Sequence, residues 1–418
     1  MKIIVSQKGA REHYAVARAL HQQGMLAGLV TDWYAPPWLR RMGGLMDGWM
    51  GRRGSAALAA RCEDIPDRLV RAFPFRSLLW KWRVRRLAAQ GRGYEAHLQT
   101  DAAFAAAVAR LKLPPHEVFF GYSYACLEML QAEKERGKMT ILCQIDPGPV
   151  HFRIVAEEMA RHPELAGPPA KFPEAYFDRA RREWGLADII VVNSEWSREA
   201  LVAEGADAAK IEVLPLAFEI NVEMRKVESG KQSDTSPRPS PRSGEGLLRV
   251  LFLGQVTPGK GIHYLMAAAR LLERENIHFD VVGPVGILPG AVAAAPRNMT
   301  FHGPVSRDRA AEWYRQSDVF VLPTLSDGFA LTQLEALAHG LPVIATPNCG
   351  RVVVSDKTGF LIPPRDARVL TDAILKFAAN RNLPASMATA CREAVKAYSV
   401  ETFGRRLVEV IQKYSVKR

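Results

Sequence analysis

Short apolar runs alternate with amphipathic stretches along this chain, break off at one polar segment, and resume after it. In the first half the runs are KIIVS (2–6), LAGLVT (26–31), EVFFGYS (117–123), MTILCQ (139–144), ADIIVVNS (187–194) and IEVLPLAF (211–218), with helical patterns over 12–23, 125–135, 174–184 and 197–204. In the second they are LRVLFLG (248–254), HFDVVG (278–283), NMTFHG (298–303) and DVFVLP (318–323), with helical patterns over 261–274 and 306–316. Apolar strands separated by helices build a parallel sheet covered on both faces, so the spacing predicts an α/β protein. The intervening RKVESGKQSDTSPRPSPRSGEGL (225–247) has almost nothing to bury and cannot offset its ordering entropy, which predicts a flexible linker. The expected organisation is a first domain over 1–220, a linker over 221–247, a second domain over 248–397, and a last helix within 398–418 that crosses back to the first domain. The length of 418 residues agrees, being more than one ordinary core accommodates. Ligands of open α/β sheets bind beyond the carboxyl ends of the strands, so the site is expected in a cleft between the two domains.

With 48% hydrophobic and 24% charged residues the composition is that of a soluble protein, and no run of about 18 apolar residues predicts a membrane span. MKIIVSQKGAREHY opens on a short apolar run, read as a strand and not a secretory signal, so a cytoplasmic location is expected. Cys62, Cys126, Cys143, Cys349 and Cys391 are dispersed, without a CxxC pair or histidines at ligand spacing; they are expected as reduced thiols, and no metal site is predicted.

The net charge of +12 and pI of about 9.6 raise the question of a partner. Residues 38–92 carry thirteen Lys and Arg against four acids, together with Trp38, Leu39, Trp49, Met50, Leu78, Leu79, Trp80 and Trp82. Mixed arginine and tryptophan suits an anionic membrane surface or an anionic acceptor; the alternative is a solvated basic face whose tryptophans belong to the core. No helix-turn-helix, zinc knuckle or RNA-binding signature accompanies the charge, so no nucleic-acid partner is expected.

Two short stretches carry candidate chemistry. In FLGQVTPGKGIHYL a strand runs into Gly254, a turn holds Pro258, Gly259 and Gly261, and a helix opens after Lys260. Glycines let backbone amides approach an anion, a helix start carries partial positive charge, and Lys260 adds a full one, so the turn can cradle phosphate; read alone, it is equally a plain helix start. In SDGFALTQLEALAHG, Asp327 and Gly328 follow a strand and a helix is expected from Ala330 or Leu331. At 100° per residue Glu335 falls at the edge of the stripe formed by Leu331, Leu334, Leu337 and Ala338, which predicts partial burial. A carboxylate there needs donors, and sugar hydroxyls supply them. Asp327 read alone is also a good helix cap, and Glu335 also fits a solvated helix face.

The acid, seven residues, acid spacing of Asp327 and Glu335 resembles the signature of retaining nucleotide-sugar glycosyltransferases of family 4, which have the two-domain GT-B fold with Rossmann-like halves. GLPVIATPNCG, TGFLIPPRD (358–366), VNSEWSREAL (192–201), VLPLAF and GPVSRDRAAEWYRQSDVFVLP (303–323) resemble the same family. The resemblance implies that Glu335 binds the ribose hydroxyls of the donor and that Asp327, standing where the family usually has Glu, faces the transferred sugar. The amides of Gly328, Phe329, Ala330 and Leu331 would approach sugar and diphosphate, and Lys260 would hold the diphosphate beside Gly254. Gln255 stands where the family usually has Arg, a change that removes a charge-assisted hydrogen bond worth about 1.5–3 kcal/mol. The base pocket would lie around Phe301, His302 and Gly303. In the first, acceptor-side domain, the resemblance puts Gly9 opposite the phosphates and makes Asp146 a candidate where the family often has histidine.

The implied reaction is transfer of a sugar from a nucleoside diphosphate to an acceptor hydroxyl, with retention and with no cofactor besides the donor. No DxD triplet occurs, which agrees with metal-independent chemistry. Lys260, Asp327 and Asp146 are the expected catalytic residues, and the acceptor is expected to be a glycan or glycolipid of cell-surface biosynthesis. A sugar-nucleotide-binding scaffold with little turnover, or a sugar-nucleotide epimerase, is the alternative.

Overall fold

The computed structural model describes residues 1–35, 61–167, 174–219 and 246–416, and of Arg307 and Asp308 the backbone alone. The linker expected over 221–247 therefore lies, apart from its last two residues, outside the described residues, as do Trp38, Leu39, Arg40, Arg41, Asp47, Trp49, Met50, Arg52 and Arg53 of the basic segment.

Thirteen strands form two parallel sheets among the described residues. The first contains β1 (Ile3–Gln7), β2 (Leu26–Thr31), β3 (Val70–Ala72), β4 (Val118–Tyr122), β5 (Met139–Gln144), β6 (Ile189–Val192) and β7 (Ile211–Val213), in the order β3-β2-β1-β4-β5-β6-β7. The second contains β8 (Leu248–Leu253), β9 (Ile277–Val282), β10 (Met299–Gly303), β11 (Val319–Leu322), β12 (Val343–Ala345) and β13 (Gly359–Leu361), in the order β10-β9-β8-β11-β12-β13. In each sheet the chain order reverses beside the first strand, so a crevice opens at the carboxyl ends of β1 and β4 and of β8 and β11.

The helices of the first domain are α1 (Ala15–Gln22), α2 (Pro74–Ala88), α3 (Gly93–Ala109), α4 (Leu127–Glu135), α5 (Pro149–Arg161), α6 (Glu174–Leu186) and α7 (Glu195–Ala203). The second has α8 (Ile262–Leu271), α9 (Pro289–Ala293), α10 (Arg307–Gln316), α11 (Leu331–Ala338), α12 (Ala367–Ala379) and α13 (Leu383–Val395), and α14 (Val400–Ser415) follows. Strands such as Ile189–Val192 and Val343–Ala345 are buried along their whole length, the pattern of a sheet covered on both faces. The cores separate by domain: one gathers around β8–β13, and two flank the first sheet.

The helix expected over 12–23 is broken. Glu12, His13 and Tyr14 have φ of 48°, 51° and 56°, and the α-helix begins at Ala15. Left-handed non-glycine residues are held only by surrounding structure, here by Tyr14, which is fully buried with its hydroxyl donating to Trp33 O.

Chain crossings between the domains sit side by side. Ala217 belongs to a first-domain core and Phe218 to the second-domain core, while Tyr398 packs on the second and Val400 on the first. The Phe218 amide donates to Tyr398 O at 2.7 Å, stitching the two crossings. Beyond them Val400, Phe403, Leu407 and Ile411 bury the apolar stripe of α14 in the first domain, where Gly404 lies against Ala19 of α1. No disulfide joins the five cysteines, four of which are buried.

Candidate active site

The loop after β8 is tied to the loop after β11. Gly259 O accepts from the Leu325 amide at 2.9 Å and from the Thr324 hydroxyl at 3.1 Å. Gly261 has φ of 73°, and a Cβ there would stand 2.0 Å from Pro323 O, so only glycine lets the two loops meet while α8 starts. The one-turn helix Pro258–Lys260 places Lys260 at the mouth of the cleft, a quarter exposed, in an ion pair with Asp327. The two residues that the sequence reading gave separate tasks are therefore one pair in this structure. Opposite charges brought together in a partly dehydrated cleft neutralise one another, and an incoming anion competes with the Asp327 carboxylate for the ammonium.

Asp327 does not cap the helix. Ala330 flanks α11 without a side-chain cap, and the Asp327 amide donates to Asn348 O at 2.8 Å. Of the four amides expected to face the donor, that of Ala330 already donates to Cys349 O at 3.0 Å, whereas those of Gly328 and Phe329 have no acceptor among the described residues. The Phe329 side chain is buried in the second-domain core. Gly328 is a point of close approach between the domains: a Cβ there would lie 2.4 Å from Ile145 O and 2.9 Å from Asn193 Nδ2.

Glu335 is half-buried, and its Oε2 accepts from the Tyr314 hydroxyl at 2.8 Å. Burial, reinforced by the Glu335 carboxylate, pushes the Tyr314 phenol well above its ordinary pKa, so it remains a donor. His339 stacks on Tyr314 with centroids 5.1 Å apart. Glu335 and Leu331 line a cavity of about 250 Å³ whose opposite wall is Glu12 and Arg18 of the first domain. Burial raises the Glu12 carboxyl to about 7 against the pull of Arg11. On α10 the neighbour of Tyr314 is Trp313, whose ring lies 4.3 Å from that of His302, and His302 Nε2 is 2.8 Å from Asp280 Oδ1. One helix thus supports both Glu335 and the strand that ends at His302 and Gly303. On the resemblance's implication that Glu335 holds the ribose of a nucleotide-sugar donor, Tyr314→Phe is expected to raise the KM for that donor about threefold to tenfold, the loss of one hydrogen bond worth about 0.5–1.5 kcal/mol, with kcat little changed. Initial rates over a donor series check this; an unchanged KM would show that Glu335 needs no such orientation.

From the first domain, the Gly9 amide donates to Asp32 Oδ1 at 2.7 Å, and nothing lies within 4 Å of where its Cβ would be, so the loop presents an unobstructed surface there. Asp146 Oδ1 accepts from the Tyr124 hydroxyl at 2.8 Å, Gln144 Nε2 at 3.0 Å and the Gly148 amide at 2.9 Å. Three donors on one oxygen make Asp146 a brace for the turn that starts α5. Gln255 is exposed and Gly254 half-buried on the loop after β8.

His151, which the sequence reading missed, is the side chain that unites these groups. Burial lowers its pKa, Lys260 lowers it further, and the charges of Asp146 and Asp327 oppose the shift, while its Nδ1 is buried without a hydrogen-bond partner among the described residues. A neutral imidazole is the form this balance favours near pH 7. The available signal was PGPVH: a proline in the first turn of a helix directly after a buried strand aims the next side chains at the carboxyl edge of the sheet. The middle of α5 also abuts the Lys260 loop, since a Cβ on Gly259 would meet Val155 Cγ2 at 2.9 Å.

Comparison with known proteins bears on this arrangement. Residues 248–380 match the family described as Glycosyl transferases group 1. The D-inositol 3-phosphate glycosyltransferase of Xylanimonas cellulosilytica is 28% identical over 278 residues, 62% of this chain and 66% of that protein. That of Arthrobacter sp. (strain FB24) is 34% identical over 142 residues, 31% of this chain and 34% of that protein. The chain thus spans between a third and two-thirds of the length of these curated relatives. Among solved structures, sucrose-phosphate synthase from Thermosynechococcus elongatus superposes with a TM-score of 0.60 at 18% identity over the whole of both chains. Anabaena HepE, solved with UDP and glucose, does so with 0.56 at 15% identity, covering 99% of this chain and all of that one. At these identities the likeness shows the fold, which is GT-B.

Proposed function

We infer that this chain, a family 4-like glycosyltransferase by its second domain and its paired sheets, moves a sugar from a nucleoside diphosphate donor to an acceptor hydroxyl with retention at the anomeric carbon. The observation that carries the reading is the Lys260–Asp327 pair, held by the glycine turn between two sheets and within the field of His151 from the opposite domain. Breaking the sugar–phosphate bond puts negative charge on the leaving diphosphate. Lys260, the start of α8 and the amides of Gly328 and Phe329 are donors fixed in place before that charge develops, which lowers the barrier without reorganisation. As the diphosphate draws Lys260 away, the Asp327 carboxylate becomes an acceptor for hydroxyls of the transferred sugar. Glu335, aimed by Tyr314, accepts from the ribose hydroxyls.

The step needs no protein nucleophile: a departing phosphate oxygen takes the proton of the attacking hydroxyl on the same face. Cofactor and metal are absent from this scheme because the proton and charge transfers are complete without them. A uridine diphosphate sugar is the first donor to test, given the UDP and glucose held by HepE. The deciding experiment incubates the protein with a panel of nucleoside diphosphate sugars and extracted lipids and identifies products by mass spectrometry. A glycosylated lipid supports the reading; donor binding without product, or a changed donor with no acceptor consumed, refutes it.

For the acceptor we propose a membrane-borne glycan precursor, reached by a peripheral enzyme at the cytoplasmic face. No helix among the described residues is long and apolar enough to cross a membrane. On α2, however, Phe75, Leu78, Leu79 and Trp82 are 83%, 50%, 66% and 59% exposed, at helical spacings that put them on one face. Arg83, Arg85 and Arg86 flank them, with the Arg86 guanidinium 5.3 Å from the Trp82 ring centre. Trp80, in contrast, packs with Phe73 and Phe104, so the segment's described tryptophans divide between core and surface. The chain is expected to sediment with phosphatidylglycerol vesicles at low salt, and Leu79→Asp combined with Trp82→Ala to bind at least about tenfold less, since burying one such side chain contributes about 1.5–3 kcal/mol. No sedimentation at low salt would favour a solvated face.

A further inference from the structure

At the far end of α5 from His151, two turns further along the helix, three side chains from both domains converge. Glu158, near the end of α5, has a fully buried carboxylate, and its Oε1 lies 2.8 Å from His263 Nε2 on α8 and 3.7 Å from His162 Nε2 just beyond α5. One donor atom from each of the three lies within 4.8 Å of the others. We propose that Glu158, His162 and His263 form a transition-metal site, for Zn²⁺ in the first instance, that clasps the two domains together at the edge of the cleft. It is distinct from the transfer chemistry and does not depend on it.

The ligand chemistry fits. Two imidazoles and a carboxylate leave one of four positions for water, and ligand bonds of about 2.0–2.2 Å put tetrahedral donor atoms about 3.3 Å apart. The observed separations straddle that value: seating an ion requires the His263–Glu158 contact to open by about 0.5 Å and His162 to close by a similar amount. Glu158 Oε1 accepts from the Tyr264 hydroxyl at 2.6 Å as well as from His263. The ion would take the lone pair now engaged by His263, leaving the Tyr264 bond in place.

Groups that orient metal ligands are present for two of the three. His162 Nδ1 is 3.1 Å from Glu164 Oε1, which turns Nε2 toward Glu158, and a carboxylate behind a ligating imidazole fixes its tautomer and raises its basicity. Glu158 Oε2 is 3.0 Å from Arg365 Nε, which holds the carboxylate with Oε1 toward the histidines. Access is open: His162 and His263 border a cavity of about 350 Å³, and the His162 side chain is 35% exposed. His263 belongs to the helix that follows the Lys260 turn, and Glu158 to the helix that carries His151, so the ion would join the two elements that define the cleft.

The test uses the full chain stripped of metal by chelator and then dialysed. Calorimetric titration with Zn²⁺ should give one site per chain. Both His162→Ala and His263→Gln should weaken it at least about 100-fold, since altering even an outer-shell partner costs about 10- to 100-fold, whereas the exposed His97→Ala should leave it unchanged. Zn²⁺ should also raise the melting temperature of the native chain and not that of His162→Ala. Circular dichroism verifies each fold, and should His263→Gln fail to fold, the partly exposed His162 decides alone. Absence of a site in the native chain, or unchanged affinity in a folded variant of either histidine, overturns the proposal and leaves the cluster a hydrogen-bonded contact only.

Discussion

Lys260→Ala is expected to lower kcat/KM for transfer by about 100- to 1000-fold, the range seen when one preorganised donor to developing charge is removed. The fall should appear mainly in kcat, because the charge it meets grows as the bond breaks. Stability should change little: both partners of the Lys260–Asp327 pair are about a quarter exposed, where water screens an unpaired carboxylate. Asp327→Asn separates the roles of the pair. It releases Lys260 for the phosphate while weakening the acceptor for sugar hydroxyls, so its loss should depend on which sugar is carried. Rates from single-turnover assays with the donor found by the panel provide the measurement, and Lys260→Ala with native turnover would remove the lysine from the mechanism.

Gly261→Ala should destabilise the second domain by about 3 kcal/mol or more, at the upper end for single substitutions, because overpacking and backbone strain combine there. A methyl group would have to stand 2.0 Å from Pro323 O, a backbone atom that cannot swing aside, at a φ of 73° that L-residues avoid. Gly24→Ala is the matched control: its φ is 67°, but nothing lies within 4 Å of the added carbon, so only the backbone cost of about 1–2 kcal/mol applies. Urea midpoints followed by fluorescence compare the two. Equal losses would mean that the loops around Lys260 shift to admit the methyl, and then a change in turnover should accompany it.

Features written locally in the chain were readable from it. Runs such as MTILCQ are the strand β5 itself, because a strand buried on both faces reads as a nearly continuous apolar run, here with Thr140 and Gln144 as its buried polar exceptions. Glu335 is half-buried as its angle on α11 required. The break at Glu12, His13 and Tyr14 had no such signature: nothing in REHY announces left-handed backbone, which burial of Tyr14 imposes from outside the segment. Contacts between distant positions were equally silent. Lys260 and Asp327 are 67 residues apart, and no pattern around either indicates that the other neutralises it. Asp146 could be named from its loop, but not that its Oδ1 accepts from Tyr124, Gln144 and Gly148, nor that His151, five residues on, would lie within the field of both Asp146 and Asp327. Glu158 and His263, 105 residues apart, could be paired only once α5 and α8 were seen in contact.

The hydrogen bond from Phe218 to Tyr398 has a mechanical meaning. Two lobes tethered by one strand can tumble in any direction; two tethers fastened to each other act as the pin of a door. Residues beside the pin, such as Ala217 and Val400, travel little when the lobes swing, whereas Gly328 against Ile145 and Trp196 against Ser326 sit where the leaves meet and must part. A substrate too large for the present gap is therefore expected to enter by rotation about one axis, with the latch side, not the pin, setting how far the door opens.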